Sequence, residues 1–192
     1  MGSSIFSLEV AARLDRAPDL LNQLRSTIKD HPQAVSLQQK WQLYKRASDA
    51  LIANLGLVER GCWDYFEQDD KAEKDFKMWL GGMTTEEGAR RQPSGKADAY
   101  RGGDPRYLTF TMTFLMLKPS PTDVAVARLC DIPEPHLWRR DVFGRILAGL
   151  GVVNFASVKS DVMYLIPRDD DWGLTVDDMR EEKFAYLRPI VG

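Results

Sequence analysis

The chain has 192 residues, of which 44% are hydrophobic and 28% are charged, and its formal net charge is -2. This balance is typical of a folded globular domain, and a chain of this length can bury a core without a metal or a disulfide. The near-neutral charge disfavours a dedicated nucleic-acid binder, because such proteins use an excess of lysine and arginine to neutralise phosphates.

The first quarter of the chain is predicted to be a helical N-terminal extension, residues 1–56. Residues 5–15 are predicted as a short helix, and Pro18 opens a second helix that ends near residue 33. Ser36 is a suitable N-cap for a third helix. Its narrow apolar seam contains Leu37, Trp41, Tyr44, Ser48, Leu51 and Leu55. The seam favours packing on the rest of the protein, and docking of a second chain is the alternative.

The pattern changes after residue 56. Residues 57–66 alternate loosely between apolar and polar side chains, which predicts a strand with Gly61 as a candidate bulge. Residues 69–82 carry apolar side chains at helical spacing, with aspartates at the start, where they suit the helix dipole, and glycines at the end. The segment from Gly88 to Arg106 is rich in glycine, proline and charge, and it is predicted to be a loop.

The most apolar run of the chain is YLTFTMTFLMLK, residues 107–118. Phenylalanine, leucine and methionine alternate with threonine, which is the period of a strand rather than of a helix. The run is also shorter than the roughly 20 residues that a helix needs to cross a bilayer, so we expect no membrane insertion. Leu115 and Leu117 make both faces apolar near its end, which indicates a central strand covered on both sides.

Four further elements are expected after this strand. A short helix is interrupted by prolines near residue 133, and a longer one follows at residues 137–151. Residues 158–166 form another strand, which Pro167 ends. Thr175 then caps a short final helix, with Asp178 three residues further on.

These elements predict an α+β domain over residues 57–192. Its small sheet of about three strands is built from residues 57–66, 107–118 and 158–166, with helices packed mainly on one face. The two strongest N-terminal helices form a helical hairpin that precedes this domain. Strand order and direction stay open at this point.

The second half of the chain resembles the uncharacterised domain-of-unknown-function family fifteen-seventeen, found in bacteria and chloroplasts. The resemblance covers about residues 57–192. It is carried by YLTFTMTFLML, RILAGLG, VMYLIPRDDD, LTVDDM and YLRPI, together with the alanine and phenylalanine of WDYFEQDDKAEKDFKMW, Ala72 and Phe76. The family has no established reaction, so the resemblance implies no catalytic residues. Several of its members are anchored to membranes by a separate apolar segment, which this chain lacks.

The cysteines and histidines give no firm catalytic or metal site. Cys62 and Cys130 are far apart and favour reduced thiols in a cytoplasmic protein without a secretory signal, although a disulfide stays an alternative. Cys130 could pair with His136 as thiolate and imidazole, but the favoured interpretation is a mostly buried cysteine and a surface histidine. His31 has no evident partner ligand, so we expect no zinc site.

Two charged segments are candidates for binding. The acidic run RDDDWGLTVDDMREE could hold a cation, but it departs from the calcium-loop template, and we expect a solvated loop and no metal or cofactor. The basic loop between residues 88 and 106 could contact an acidic partner, a phosphate or single-stranded RNA, and plain flexibility is the alternative. Its candidate contact residues are Arg90, Arg91, Lys96, Tyr100 and Arg101.

Two functions are compatible with these patterns. The first is a non-catalytic cytoplasmic module for protein interaction or regulation, which binds a protein partner or a second copy of itself. The second is a small enzyme or ligand-binding protein whose pocket is assembled from scattered polar residues. The candidate pocket residues are Arg139, Asp141, Asp161 and Arg168.

Overall fold

The computed structural model describes residues 2–67, 69–84, 105–168 and 173–192. The strands are β1 (Gly2–Arg13), β2 (Val58–Phe66), β3 (Arg106–Lys118), β4 (Val158–Ile166), β5 (Leu174–Thr175) and β6 (Arg188–Pro189). The α-helices are α1 (Pro18–Asp30), α2 (Leu37–Ala53), α3 (Asp69–Thr84), α4 (Pro121–Leu129) and α5 (Arg140–Gly149). Short 3-10 turns join several of these elements.

All strands belong to one antiparallel sheet with the order β4-β3-β1-β2-β6, and β5 pairs with the start of β3. The prediction of a small three-stranded sheet is therefore wrong, because six strands of the described residues form this sheet. The central position of β3 is confirmed, since β1 and β4 flank it over most of its length.

The predicted helix over residues 5–15 is also wrong, because residues 2–13 form β1 in the middle of the sheet. Glu9, Ala11 and Ala12 favour a helix locally. The period of two in Phe6, Leu8 and Val10 fits a strand instead, and pairing with β2 and β3 satisfies the backbone of β1 on both sides. Long-range pairing has thus overridden local propensity.

The main core lies between the sheet and four helices, α1, α2, α4 and α5, and we call this side of the sheet the helical face. The aromatic rings of Tyr44 and Phe114 approach to 4.7 Å between centroids, and Phe155 packs against both. Tyr44, Ser48 and Leu51 of the apolar seam are buried. This part of the seam therefore packs within the chain.

The other side of the sheet, the opposite face, is also covered. The α3 side chains of Ala72 and Phe76 pack on Ile5, Leu115 and Val162 at one end of this face. At the other end, Met179 and Leu187 pack on Ala11, and they belong to residues 173–192, which we call the C-terminal segment. Both faces of the sheet therefore have covering layers, and the prediction that helices pack mainly on one face is wrong.

Several local predictions are confirmed by specific contacts. Ser36 caps α2 by accepting a hydrogen bond from the backbone N–H of Gln39, and Pro18 begins α1. Thr175 and Asp178 exchange hydrogen bonds of 2.7 and 2.9 Å, although the turn that they cap is a 3-10 helix. Gly61 is not a bulge, because it pairs regularly with Val10.

The close approach of α5 explains the glycine at position 61. A Cβ atom there would lie 2.6 Å from Cε1 of Phe143, whose ring packs directly on the β2 backbone. The register shift between β1 and β2 occurs elsewhere, between Ala11 and Ala12.

Candidate functional site

The candidate contact residues of the basic loop, Arg90, Arg91, Lys96, Tyr100 and Arg101, lie outside the described residues. Residues 169–172, which contain Asp169, Asp170 and Asp171 of the acidic run, also lie outside them. Arg106, the last cation of the predicted loop, is the first residue of β3 and is buried. The binding role of the loop therefore stays a prediction.

Cys130 and His136 do not form a nucleophilic pair. Cys130 ends α4, and burial and the charge of Asp64 raise the pKa of its thiol to about 12. His136 is exposed in a 3-10 turn. Because only the thiolate is a good nucleophile, a thiol with this pKa is unreactive at neutral pH.

The scattered polar residues of the predicted pocket are not assembled into one site. Arg139 and Asp141 form a local ion pair of 2.9 Å at the exposed start of α5. Asp161 instead lies on β4 under α1 and α2, where its carboxylate accepts hydrogen bonds from His31, Lys40 and Tyr44. Among the described residues, these contacts form a hydrogen-bond network around Asp161 rather than a pocket. We call this network the Asp161 clasp.

The Asp161 clasp joins the helical hairpin to the sheet. The Asp161 side chain is only 4% exposed. Burial by itself would raise the pKa of its carboxyl, but hydrogen bonds from His31 and Lys40 outweigh this effect and lower the pKa below its usual value. Burial and the same carboxylate raise the pKa of Tyr44. Asp161 is therefore ionised at neutral pH.

A second polar cluster lies across the middle of the opposite face, between α3 and the C-terminal segment. We call it the polar band, and it comprises Ser7, Glu9, Cys62, Asp64, Thr111, Thr113 and Tyr164. Strand register places Cys62, Glu9, Thr111 and Tyr164 side by side in one row. Asp64, Ser7 and Thr113 form the next row, in which the two hydroxyl groups lie 2.8 Å apart.

Glu9 occupies the centre of the polar band and is partly exposed. Its Oε2 accepts a hydrogen bond of 2.9 Å from the hydroxyl of Tyr186, which belongs to the C-terminal segment. Burial raises the pKa of Glu9 to about 7, although hydrogen bonds from Tyr186 and Thr111 act in the opposite direction. Glu9 can therefore hold or release a proton near neutral pH, as a general acid or base does.

The groups around Glu9 keep its surroundings acidic. Burial raises the pKa of Asp64, and burial together with the charges of Asp64 and Glu9 raises the pKa of Cys62 to about 11. Arg188 of β6 acts in the opposite direction and lowers the pKa of Cys62. The accessible part of the band thus offers two carboxyl groups, a thiol and the phenol of Tyr164, and the phenol of Tyr186 lies beside it.

Glu9 is not among the site residues predicted from the sequence, because its segment was interpreted as a helix. The signal was present, since Ser7 and Glu9 alternate with buried Phe6, Leu8 and Val10. In a strand, that alternation places a carboxyl group on the face opposite the core. Its neighbours Cys62 and Thr111 could not be assigned without the register.

Comparison of the chain with protein-family models, with curated proteins and with solved structures gave no match. The described ranges contain no group of three or more histidine, cysteine, aspartate or glutamate side chains placed to hold a metal ion. They also contain no helix that is both long and apolar enough to cross a membrane.

Proposed function

We propose that the chain is a ligand-binding protein and that the polar band is its binding site. The observation that carries the proposal is Glu9, a partly exposed carboxyl group with a pKa of about 7. Its neighbours in the fold are hydroxyl, phenol and thiol groups. Strongly perturbed carboxyl groups cluster at functional sites, because burial and neighbouring groups are arranged there to tune proton affinity.

The geometry favours a small ligand that carries hydrogen-bond donors, an amine above all. Ionised carboxyl groups only accept hydrogen bonds, and Glu9 and Asp64 lie in adjacent rows of β1 and β2. The phenols of Tyr164 and Tyr186 add aromatic surface, which attracts cations as well as apolar groups. Apolar clusters under α3 and under the C-terminal segment border the band on two sides.

The test is thermal unfolding at pH 8 with spermidine as the amine probe and glucose as the neutral hydroxyl probe. We expect saturable stabilisation by spermidine, which would reach about 2.7 kcal/mol at a hundred times its dissociation constant. Glu9→Gln should abolish this stabilisation. Glu67→Gln is the matched control, because Glu67 is an exposed carboxylate outside the band, paired with Lys118.

Two outcomes would contradict the proposal. One is the absence of any saturable shift with either probe, and the other is an equal response of Glu9→Gln and the wild-type protein. A response to spermidine that Glu67→Gln reduces as strongly as Glu9→Gln would indicate non-specific charge attraction.

The second candidate function is the interaction module, in which a protein partner or a second copy binds at the start of α2. Val35 is 91% exposed and Leu37 is 53% exposed. Trp41 lies one turn beyond Leu37 and donates a hydrogen bond of 3.1 Å to the carbonyl of Gly151, beside the half-exposed Val152. These apolar side chains form a candidate contact surface in the part of the seam that is not buried.

Light scattering over a range of protein concentrations tests the self-association form of this candidate. We expect a concentration-dependent dimer that Leu37→Ser weakens, whereas Val124→Ser, an exposed valine on α4, leaves it unchanged. A strictly monomeric protein that also co-purifies with nothing would count against the module. The cytoplasmic setting is part of both proposals and is supported by the two free cysteines.

A further inference from the structure

The hydrogen bond between Tyr186 and Glu9 determines what a ligand must supply at the polar band. The hydroxyl of Tyr186 donates to Oε2 of Glu9 at 2.9 Å. An ionised carboxylate only accepts hydrogen bonds, so its oxygen atoms need donors from the protein, from water or from a ligand. A ligand that covers Glu9 therefore has to replace the donor that it displaces.

The side chain of Tyr186 can leave Glu9 without unfolding the segment that carries it. Tyr186 is 45% exposed, whereas Leu187 beside it is only 1% exposed and packs on Ala11. The backbone N–H of Leu187 also donates a hydrogen bond of 3.0 Å to the carbonyl of Phe184. Rotation of an exposed side chain is fast and requires no movement of the backbone. The hydroxyl of Tyr186 is therefore an exchangeable donor rather than a fixed part of the core.

Two kinds of organic cation can approach the carboxylate of Glu9. A quaternary ammonium group is attracted by the negative charge and by the face of a tyrosine ring, but it has no N–H group. At an exposed site the attraction to the ring strengthens binding about twofold to fivefold. Leaving a charged acceptor without a donor weakens binding by about fivefold or more. The balance therefore favours a cation that carries N–H groups.

We infer that the polar band selects the ammonium groups of primary and secondary amines over quaternary ammonium groups, and that the ligand's N–H group replaces the hydroxyl of Tyr186 on Glu9. The inference rests on the proposed function, since it takes Glu9 as the anchor of an amine ligand. It adds the class of amine and the protein group that competes with the ligand. Tyr186 is accordingly a specificity-determining residue.

The experiment is a calorimetric titration of the whole chain at pH 8 with butylamine and with butyltrimethylammonium. The two probes have the same charge and the same alkyl chain, because a primary amine is protonated at this pH. We expect butylamine to bind at least about fivefold more tightly, which is roughly 1 kcal/mol. Both titrations use the same ionic strength, because salt screens the attraction of cations to carboxylates.

The variant Tyr186→Phe keeps the aromatic ring and removes the competing donor. Butylamine should bind this variant about threefold to fivefold more tightly than the wild-type protein, because it no longer displaces a hydroxyl from Glu9. Tyr107→Phe is the matched control, since Tyr107 donates a comparable hydrogen bond of 3.2 Å to Glu59, which lies outside the band. The affinity of this control variant for butylamine should equal that of the wild-type protein.

Nuclear magnetic resonance reports the exchange of donors directly. The carbon chemical shift of Cζ in Tyr186 should change as butylamine saturates the protein, because the hydroxyl passes from a carboxylate to water. The corresponding shift of Tyr107 should stay constant. A tyrosine with a purely structural role would not respond, so an unchanged shift of Tyr186 at saturation would overturn the inference.

The remaining outcomes separate this inference from the proposed function. Equal or tighter binding of butyltrimethylammonium would overturn the inference and leave the proposed function intact. The same holds if butylamine binds Tyr186→Phe more weakly than the wild-type protein, or if spermidine binds and butylamine does not. If spermidine and both butyl probes all fail to bind, the proposed function fails together with the inference.

Discussion

Replacing Glu9 by glutamine should stabilise the protein above neutral pH. The folded state raises the pKa of this carboxyl from 4.5 to about 7, because burial disfavours the charged form. Each pKa unit corresponds to about 1.4 kcal/mol, so the shift represents roughly 3 kcal/mol. Since Glu9 is partly exposed, solvent reduces this figure, and we expect a gain of about 2 kcal/mol for Glu9→Gln at pH 8.

The sign of the effect follows from proton linkage. Between pH 4.5 and about 7 the folded protein binds more protons at Glu9 than the unfolded chain, so the free energy of unfolding falls as pH rises through this window. Glutamine is neutral at every pH and can still accept the hydrogen bond from Tyr186. The variant should therefore lack this decrease and should match the wild-type protein near pH 4.5.

Urea denaturation at pH 4.5, 6 and 8 measures the difference directly. The control is Glu67→Gln, because hydrogen bonding to Lys118 lowers the pKa of that exposed carboxyl, which is opposite in direction to the shift of Glu9. A Glu9→Gln variant that is less stable than the wild-type protein at pH 8 would refute the reasoning. It would show that ionised Glu9 makes favourable contacts in the folded state.

Three further substitutions test the fold. Asp161→Asn should lower the free energy of unfolding at pH 7 by about 2–4 kcal/mol, because it leaves Lys40 without its carboxylate. The pKa of Asp161 is lowered in the folded state, so the higher free energy of unfolding of the wild-type protein is present above pH 3.8 and should disappear as pH falls below this value. Acid denaturation of both proteins measures this difference. Phe114→Ala should cost about 3–5 kcal/mol in urea denaturation, because it empties the aromatic centre of the core, and a loss below 1 kcal/mol would contradict the packing. Gly61→Ala should lower the melting temperature, because the new methyl group would clash with Phe143, and an unchanged melting temperature would show that the ring can move aside.

Local patterns predicted the elements whose structure is determined mainly by their own residues. The alternation in β3 predicted a central strand, and Ser36 and Pro18 marked helix starts that the structure confirms. Of the apolar seam of α2, Tyr44, Ser48 and Leu51 are buried as predicted, whereas Leu37 is 53% exposed. In each case the residues that determine the element lie within a few positions of one another.

Position 9 illustrates what local sequence could not determine. The functional interpretation of Glu9 depends on residues 62, 111 and 186, which are brought to it by strand pairing and by the C-terminal segment. The Asp161 clasp likewise joins residues that are more than 100 positions apart. No periodicity within a single element contains this information.

The sequence by itself determined which segments are amphipathic, where several helices begin and that β3 is a core strand, because these properties come from interactions between near neighbours in the chain. Only the tertiary structure decided that residues 2–13 are a strand, that both faces of the sheet are covered, that Glu9 lies partly exposed among polar groups, and that Arg106 is buried. The physical reason is that burial and pairing depend on which distant segments meet.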